Sequence, residues 1–508
     1  MIYRNLIVTG LLSMSLSMMG ASKPRVINLV PDAPSICPDY FCTWNIQGYS
    51  VSYQHGSERM REAMNEQNIF GHGPAQNWVN FFPEIRSDIF FVLDDSWDIP
   101  ADRNNKHDNP DIGMLQLDES RFPSFTGTPA ERFRKLSDKL KSYGWKGLGL
   151  WCAAQKAPKC RDVGDEDYWD DRLKTAAAGD VGYWKVDWGQ QDRDDNFRRM
   201  LSDKARKLAP NLCLENAMKE KYIEFSDAFR TYDVENIISQ PVTIARVTSL
   251  LKYKHHKDVR GLINCEDEPY IAAGLGCAIG IMRHPYVGPL PNGAPDHTFP
   301  STVRDLKNRL DEVVRGVRWH RIATAYGVDG NYNVDEVKLE DQWIYRPNES
   351  WAHHEPGEVI KASAPARVSR NMPLPIVRSE AEDRPYVLST RYPNGATAVS
   401  AIGRTLGRKY VSCEVDVEIA GGRWDAPIGI FGFFKSLTVN FQQPVPEGGI
   451  CVYAQDLKSD RAVDVTSEVQ LSSNKLVVPS SVIRSVGLMF ASPRDVSAPG
   501  LVVKIVRQ

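Results

Sequence analysis

Short apolar runs, each closed by charged or polar residues, recur along the first 285 positions of the chain. Ile89-Phe90-Phe91-Val92-Leu93 followed by Asp94-Asp95 is the clearest, since continuous apolar sequence of this length reads as a strand buried on both faces of a parallel sheet. Comparable runs fall at 40–46, 147–152, 183–188, 212–214, 228–231, 261–265 and 276–282. Between them the period lengthens to that of a helix. Thr128-Pro129-Ala130-Glu131 is a capping box with proline at the first helical position. Phe133, Leu136, Leu140 and Tyr143 then share one face, and Gly144 supplies the stop. Helices are also predicted over 167–178, 194–208 and 242–253, the second carrying Phe197, Met200, Leu201, Ala205 and Leu208 on one stripe before Pro210. Eight strands alternating with helices predict a parallel (β/α)8 TIM barrel over residues 40–325. The long polar stretch 96–125 has the character of a functional loop.

The pattern changes near residue 360. Alternating or apolar runs at 386–390, 396–402, 437–441, 450–454, 486–491 and 501–506 are separated by turns such as Asn394-Gly395 and Glu447-Gly448-Gly449. They predict an antiparallel β-sandwich over 361–508, expected to cover the barrel rather than to bind glycan. Residues 326–360 form a polar connection whose Trp343, Trp351 and His353-His354 are expected to pack between the domains. At the other end, Arg4, the apolar stretch 6–19 and Gly20-Ala21-Ser22 have the layout of a secretory signal over 1–22. A proline-containing lead-in follows over 23–39. The mature protein is therefore expected to be extracytoplasmic, periplasmic or secreted, with no membrane insertion.

Composition narrows the function classes. The chain has 508 residues, 42% of them hydrophobic, and a formal net charge of −2. That size supports a large core and a second domain, while the charge balance gives no reason to expect nucleic acid as a partner. Nine cysteines do not make a disulfide scaffold. Cys37 and Cys42, or Cys152 and Cys160, are spaced to close local loops in an oxidising compartment. No Cys/His spacing resembles a zinc site, and no metal or cofactor is expected.

The candidate chemistry gathers at strand ends. In Tyr183-Trp184-Lys185-Val186-Asp187-Trp188-Gly189, strand alternation turns Lys185 and Asp187 to the same side. An ammonium beside a carboxylate keeps it ionised, which suits a nucleophile or a structural salt bridge. Carboxylates also stand after strands two (Asp94, Asp95), five (Glu215), six (Asp233) and seven (Glu266, Asp267), on the face where barrel enzymes keep their chemistry.

The order Val92-Leu93-Asp94-Asp95-Ser96-Trp97, Arg121-Phe122-Pro123-Ser124, Gly147 to Trp151 and Lys185-Val186-Asp187 resembles the α-galactosidase clan of glycoside hydrolases. It is closest to family 27, with features of family 36. Trp44-Asn45, on the first strand, is similar to the opening of family 27. The resemblance spans about residues 40–285. It implies Asp187 as nucleophile and Asp233 as acid/base beside Arg230. It also implies Trp44, Asp94, Asp95 and Lys185 as sugar-binding residues, with Glu215 on the strand-five loop that reads the 2-position; separately, Trp44, Trp97 and Trp151 offer flat apolar surface for a sugar ring. Arg230 and Asp233 are three apart where the family has four, leaving Asp227 and Asp267 as other candidates for the acid. Trp188-Gly189 replaces the family's cysteine after the nucleophile.

A retaining glycosidase needs two carboxyl groups, one ionised to attack and one protonated to release the leaving group. The sequence supports that reading, with an oligosaccharide or polysaccharide as partner. The sugar implied first is an α-D-galactoside, then a β-L-arabinopyranoside or an α-N-acetylgalactosaminide. A barrel that binds carbohydrate without turnover, and a metal-dependent barrel enzyme, are the readings from other classes.

Overall fold

The computed structural model describes residues 27–507 apart from 55, 105–108, 232–239, 254–258, 297–305, 329–336, 340–342, 345–349, 353–358, 362–363, 380–383 and 407–408. The signal segment, Asp233 and His353-His354 lie outside the described residues.

Eight strands close into a parallel barrel: β1 (Asp39–Cys42), β2 (Ile89–Leu93), β3 (Gly147–Cys152), β4 (Val181–Val186), β5 (Cys213–Asn216), β6 (Ala228–Arg230), β7 (Leu262–Glu266) and β8 (Ala278–Ile281). β1 pairs with β8 at Tyr40 opposite Gly280 and Phe41 opposite Ile281. Gly280 is needed there because a Cβ would stand 2.9 Å from the Tyr40 ring and 2.8 Å from the Asn264 amide, both inside the barrel. The predicted first strand stops early. Thr43 turns the chain and Trp44–Ser50 is helical, so Trp44 begins a helix instead of lying on a strand.

The helices form where cap and periodicity predict them. Thr128 and Glu131 exchange both hydrogen bonds of the capping box at the start of Pro129–Ser142, and Phe133, Leu136 and Leu140 are buried against the barrel. Asp194 accepts from the backbone N–H groups of Asn196 and Phe197 at 2.9 and 3.1 Å, starting Asp195–Leu208. The loop after β2 folds down onto the barrel: Arg121 is buried and donates to the carbonyls of Arg61 and Met64 at 2.7 and 3.0 Å.

The C-terminal domain is a sandwich of an eight-stranded and a five-stranded sheet. Its core is built from Val399, Val417, Ile430, Leu437, Leu476 and Val503, among others. Most pairs are antiparallel, but Arg367–Arg370 with Tyr386–Arg391, Thr397–Ile402 with Ile428–Gly432, and Asp416–Ala420 with Ser436–Asn440 run parallel. Val337–Leu339, from the predicted connection, is an edge strand of the larger sheet. The other face of that sheet packs on the barrel helices Pro269–Leu275 and Leu310–Trp319 through Tyr270, Trp319, Tyr392 and Phe431. A fully buried ion pair, Arg315 with Asp456 at 2.8 Å, crosses the junction. The lead-in joins the sandwich as well, Ile27 accepting from the N–H of Ala462 at 2.8 Å.

Every cysteine is a free thiol. Cys37 and Cys42 cannot meet because β1 runs extended between them, at about 3.3 Å per residue. Cys160 lies against Met114, 3.6 Å from its sulfur, rather than against Cys152.

Candidate functional site

Alternation along the barrel strands decides which side chains converge. Tyr183 and Lys185 on β4, Glu215 on β5, Arg230 on β6 and Asn264 and Glu266 on β7 all take inward positions, and their neighbours face the helices. Asp187 lies one residue beyond β4, its N–H bonded to the Cys152 carbonyl at 2.9 Å, so the strand pairing carries it to the mouth.

The Asp187 carboxylate is held from two sides. Trp151, at the end of β3, donates its Nε1–H to Oδ2 at 2.9 Å, and the Arg230 guanidinium pairs with Oδ1. Burial by itself would raise the pKa of Asp187; Arg230, Lys185 and the Trp151 hydrogen bond outweigh it and hold the group at about 2. Its main chain is fixed too. Arg198, on the helix after β4, donates to the carbonyls of Val186 and Asp187 at 2.9 and 2.6 Å. Gly189 then passes so close to the backbone of Ala154 that a Cβ would approach it to 2.7 Å.

Lys185 pairs with Asp94 rather than with Asp187: Nζ lies 3.0 Å from Asp94 Oδ2. Burial works against its charge, but Asp94 more than restores it and Lys185 stays protonated. The Cys42 thiol shares the same Asp94 oxygen at 2.8 Å, and Thr43 Oγ1 accepts the Asp94 N–H at 2.8 Å. The strand ends of β1, β2 and β4 are thus tied at one point.

Asp95 turns aside to Arg61, whose Nε and Nη2 donate to its Oδ2 at 2.9 and 2.6 Å, while Ser96 donates to Oδ1 at 3.0 Å. Burial raises the Asp95 pKa despite Arg61. Both of its oxygens thus already accept hydrogen bonds, Oδ2 from Arg61 and Oδ1 from Ser96.

The placement of Glu215 is corrected. It lies within β5 rather than on the loop after it, fully buried, and accepts from Tyr183 at 2.7 Å, Asn264 at 2.7 Å and, at 3.4 Å, Tyr40. Burial raises its pKa, and it sits one rung below Asp187, beside Lys185 in register. It supports the floor of the site beneath Asp187.

The two other candidates for the acid separate. Asp227 precedes β6 and bonds the N–H of Leu214 at 3.1 Å, at the N-terminal end of the barrel away from the mouth, so it is excluded from the site. Asp267 follows β7 at the mouth with a positive φ of 53°. Burial raises its pKa to about 6, although it accepts from the N–H of Met282 at 2.7 Å and Arg283 is nearby.

No family model and no curated protein matches the chain. Solved structures do. The chain is similar in fold to glycoside hydrolases. A putative α-galactosidase from Bacteroides fragilis shares 11% identity, over 93% of this chain and 80% of its own, with a TM-score of 0.40. For a GH27 β-L-arabinopyranosidase from Geobacillus stearothermophilus the values are 11%, 93%, 96% and 0.38. An α-galactosidase from Saccharomyces cerevisiae gives 10%, 93%, 97% and 0.34.

Asp187, Lys185, Asp94, Trp151 and Arg230 are thus brought into one buried cluster, with Trp44 half-buried on the turn after β1. Sequence reasoning missed Arg61, Cys42, Arg198 and Asn264. None carries a motif, although an arginine within the helical stripe at 198 was a signal of a kind. Among the described residues one group has metal-ligand geometry: Cys37, Asp39 and His320, with ligand atoms within 4.8 Å of one another. It lies at the start of β1, opposite the mouth. Asp39 is already satisfied there by His320 Nδ1 at 2.6 Å and the Ile279 N–H at 2.7 Å, so the group reads as a tie between the barrel and its last helix.

Proposed function

We propose that this protein is a retaining exo-glycosidase whose nucleophile is Asp187. The observation that carries the reading is the placement of that carboxylate at the end of β4, held between the Trp151 Nε1–H and the Arg230 guanidinium. At about 2 its pKa leaves it fully charged at neutral pH, while burial pushes Asp95, Glu215 and Asp267 upward around it. A mechanism that needs one ionised and one protonated carboxyl is served by such a divergence. Trp151 Nε1 and Arg230 hold the attacking group in one orientation, which raises the fraction of bound substrate in attacking geometry. Lys185 and Asp94 supply a donor and an acceptor at fixed separation for vicinal hydroxyls.

The acid/base is Asp233 in this reading, with Asp267 the second candidate because it is at the mouth and titrates near 6. Arg230 is paired with the Asp187 carboxylate. The substrate proposed first is a terminal α-D-galactoside, with β-L-arabinopyranoside next and α-N-acetylgalactosaminide after it. The protein is proposed to be exported and to act on oligosaccharides or polysaccharides.

The test is release of p-nitrophenol from the α-D-galactopyranoside and the β-L-arabinopyranoside by wild type, Asp187→Ala, Asp233→Asn and Asp267→Asn, with the product anomer read by NMR. Turnover with retention that vanishes in Asp187→Ala supports the reading, and whichever acid variant loses far more rate on an unactivated sugar leaving group than on p-nitrophenol is the acid/base. A second reading, a carbohydrate-binding barrel without turnover, is favoured by the engagement of both Asp187 oxygens. Folded protein that binds sugar and hydrolyses neither glycoside would select it.

A further inference from the structure

Arg61 comes from the helix Gly56–Glu62 and is 3% exposed, yet only part of its guanidinium is satisfied. Nε and Nη2 both donate to one oxygen of Asp95. Nη1 is buried and has no hydrogen-bond partner among the described residues. Burying a cationic N–H without an acceptor is costly, so an arginine held this way is suited to a ligand that completes it.

Its position says which ligand site. Asp95 follows β2 next to Asp94, and the guanidinium carbon lies 5.9 Å from the centre of the Trp188 ring. Trp188 follows Asp187 directly and packs on Trp151 at 5.4 Å between ring centres, the same Trp151 that bonds Asp187. Arg61 therefore stands between the residues flanking Asp94 and those flanking Asp187, beside a half-buried indole that offers a flat apolar face to a pyranose ring.

The free edge also says which chemistry. With the Nε/Nη2 edge on Asp95, the remaining Nη1/Nη2 edge presents two parallel N–H groups. That fork matches two oxygens of one carboxylate or sulfate, whereas a lone hydroxyl uses half of it. We propose that Arg61 is a specificity residue that reads an oxyanion on the sugar, the carboxylate of a uronic acid or a sulfate ester. This rests on the glycoside reading of the site, and it makes the preferred substrate an acidic sugar instead of a neutral one.

Equilibrium binding of D-galacturonate, D-galactose 6-sulfate and D-galactose to the wild-type protein and to Arg61→Lys tests it, by calorimetry at neutral pH. Arg61→Lys keeps a cation for Asp95 and removes the fork. The expected result is about tenfold or greater preference for one acidic sugar over D-galactose in wild type, the value of one charged hydrogen-bond pair, collapsing towards parity in the variant. Which acidic sugar is preferred separates carboxylate from sulfate. Equal or tighter binding of D-galactose by wild type overturns the proposal whether or not the variant folds. So does a preference that Arg61→Lys leaves intact, or no binding of any of the three sugars. Because binding is read apart from turnover, hydrolysis of the neutral glycoside without acid preference removes this inference and leaves the glycosidase standing. Acid preference without hydrolysis does the reverse.

Discussion

Replacing Asp187 by asparagine keeps the side-chain shape and removes the charge, which isolates what that charge does in the folded barrel. Holding the carboxyl at about 2 instead of the ordinary 3.8 corresponds to about 2–3 kcal/mol of folded-state stability at neutral pH, at ~1.4 kcal/mol per tenfold in proton affinity. The loss on mutation should be at least that large. Asparagine can still accept from Trp151 Nε1, but its amide then faces Arg230 donor to donor and takes the carboxylate charge away from that buried guanidinium; breaking a buried pair in this way costs about 3–5 kcal/mol. The sign with pH follows from the depressed pKa. The stabilisation is complete above the unfolded value near 4 and is lost as pH falls through about 2. Denaturant unfolding of the barrel, followed by tryptophan fluorescence, should therefore place Asp187→Asn about 2–5 kcal/mol below wild type at pH 7, with the gap narrowing steadily below about pH 4. Activity measured alongside should be abolished. A variant as stable as wild type at pH 7, or a gap that does not narrow in acid, would refute the picture of an ionised Asp187 paired to Arg230.

Four further outcomes are expected. Trp151→Phe removes one hydrogen bond to a charged acceptor, 2.9 Å long, and should lower kcat/KM about 10- to 100-fold while shifting the acidic limb of the pH profile upward. Lys185→Met strands Asp94, and should lower stability by about 3–5 kcal/mol in thermal or denaturant unfolding as well as weaken sugar binding. Gly189→Ala drives a Cβ into the Ala154 backbone at 2.7 Å and should cost about 1–3 kcal/mol, with reduced kcat because the chain just after Asp187 must shift. Asp456→Ala leaves Arg315 buried and unpaired at the domain junction, and calorimetry should show the barrel and sandwich transitions moving apart, with a loss of about 3–5 kcal/mol.

The chain determined a good deal by local means. Apolar runs closed by charged or polar residues marked the eight strands, because a strand buried on both faces has to be apolar along its length. Thr128, Pro129 and Glu131 marked a helix start, because a cap satisfies the backbone within a few residues. Two-residue alternation sufficed to set Lys185 and Asp187 on one side. The resemblance then singled out Asp94 and Arg230, and the flat apolar surface of its indole singled out Trp151, all of which the fold brings into the same cluster.

What remained belongs to the closed barrel. Whether an inward carboxylate reaches the mouth or stops one rung below depends on register between strands. That is why Glu215 supports the floor between Tyr183 and Asn264 while Asp187 reaches the mouth. The choice of partners was equally out of reach. Asp94 and Asp95 are adjacent in sequence and both acidic, but one faces Lys185 from β4 and the other Arg61 from the preceding helix. The sequence lists charges; only closure of the sheet sets the distances between them, and electrostatic pairing depends on distance.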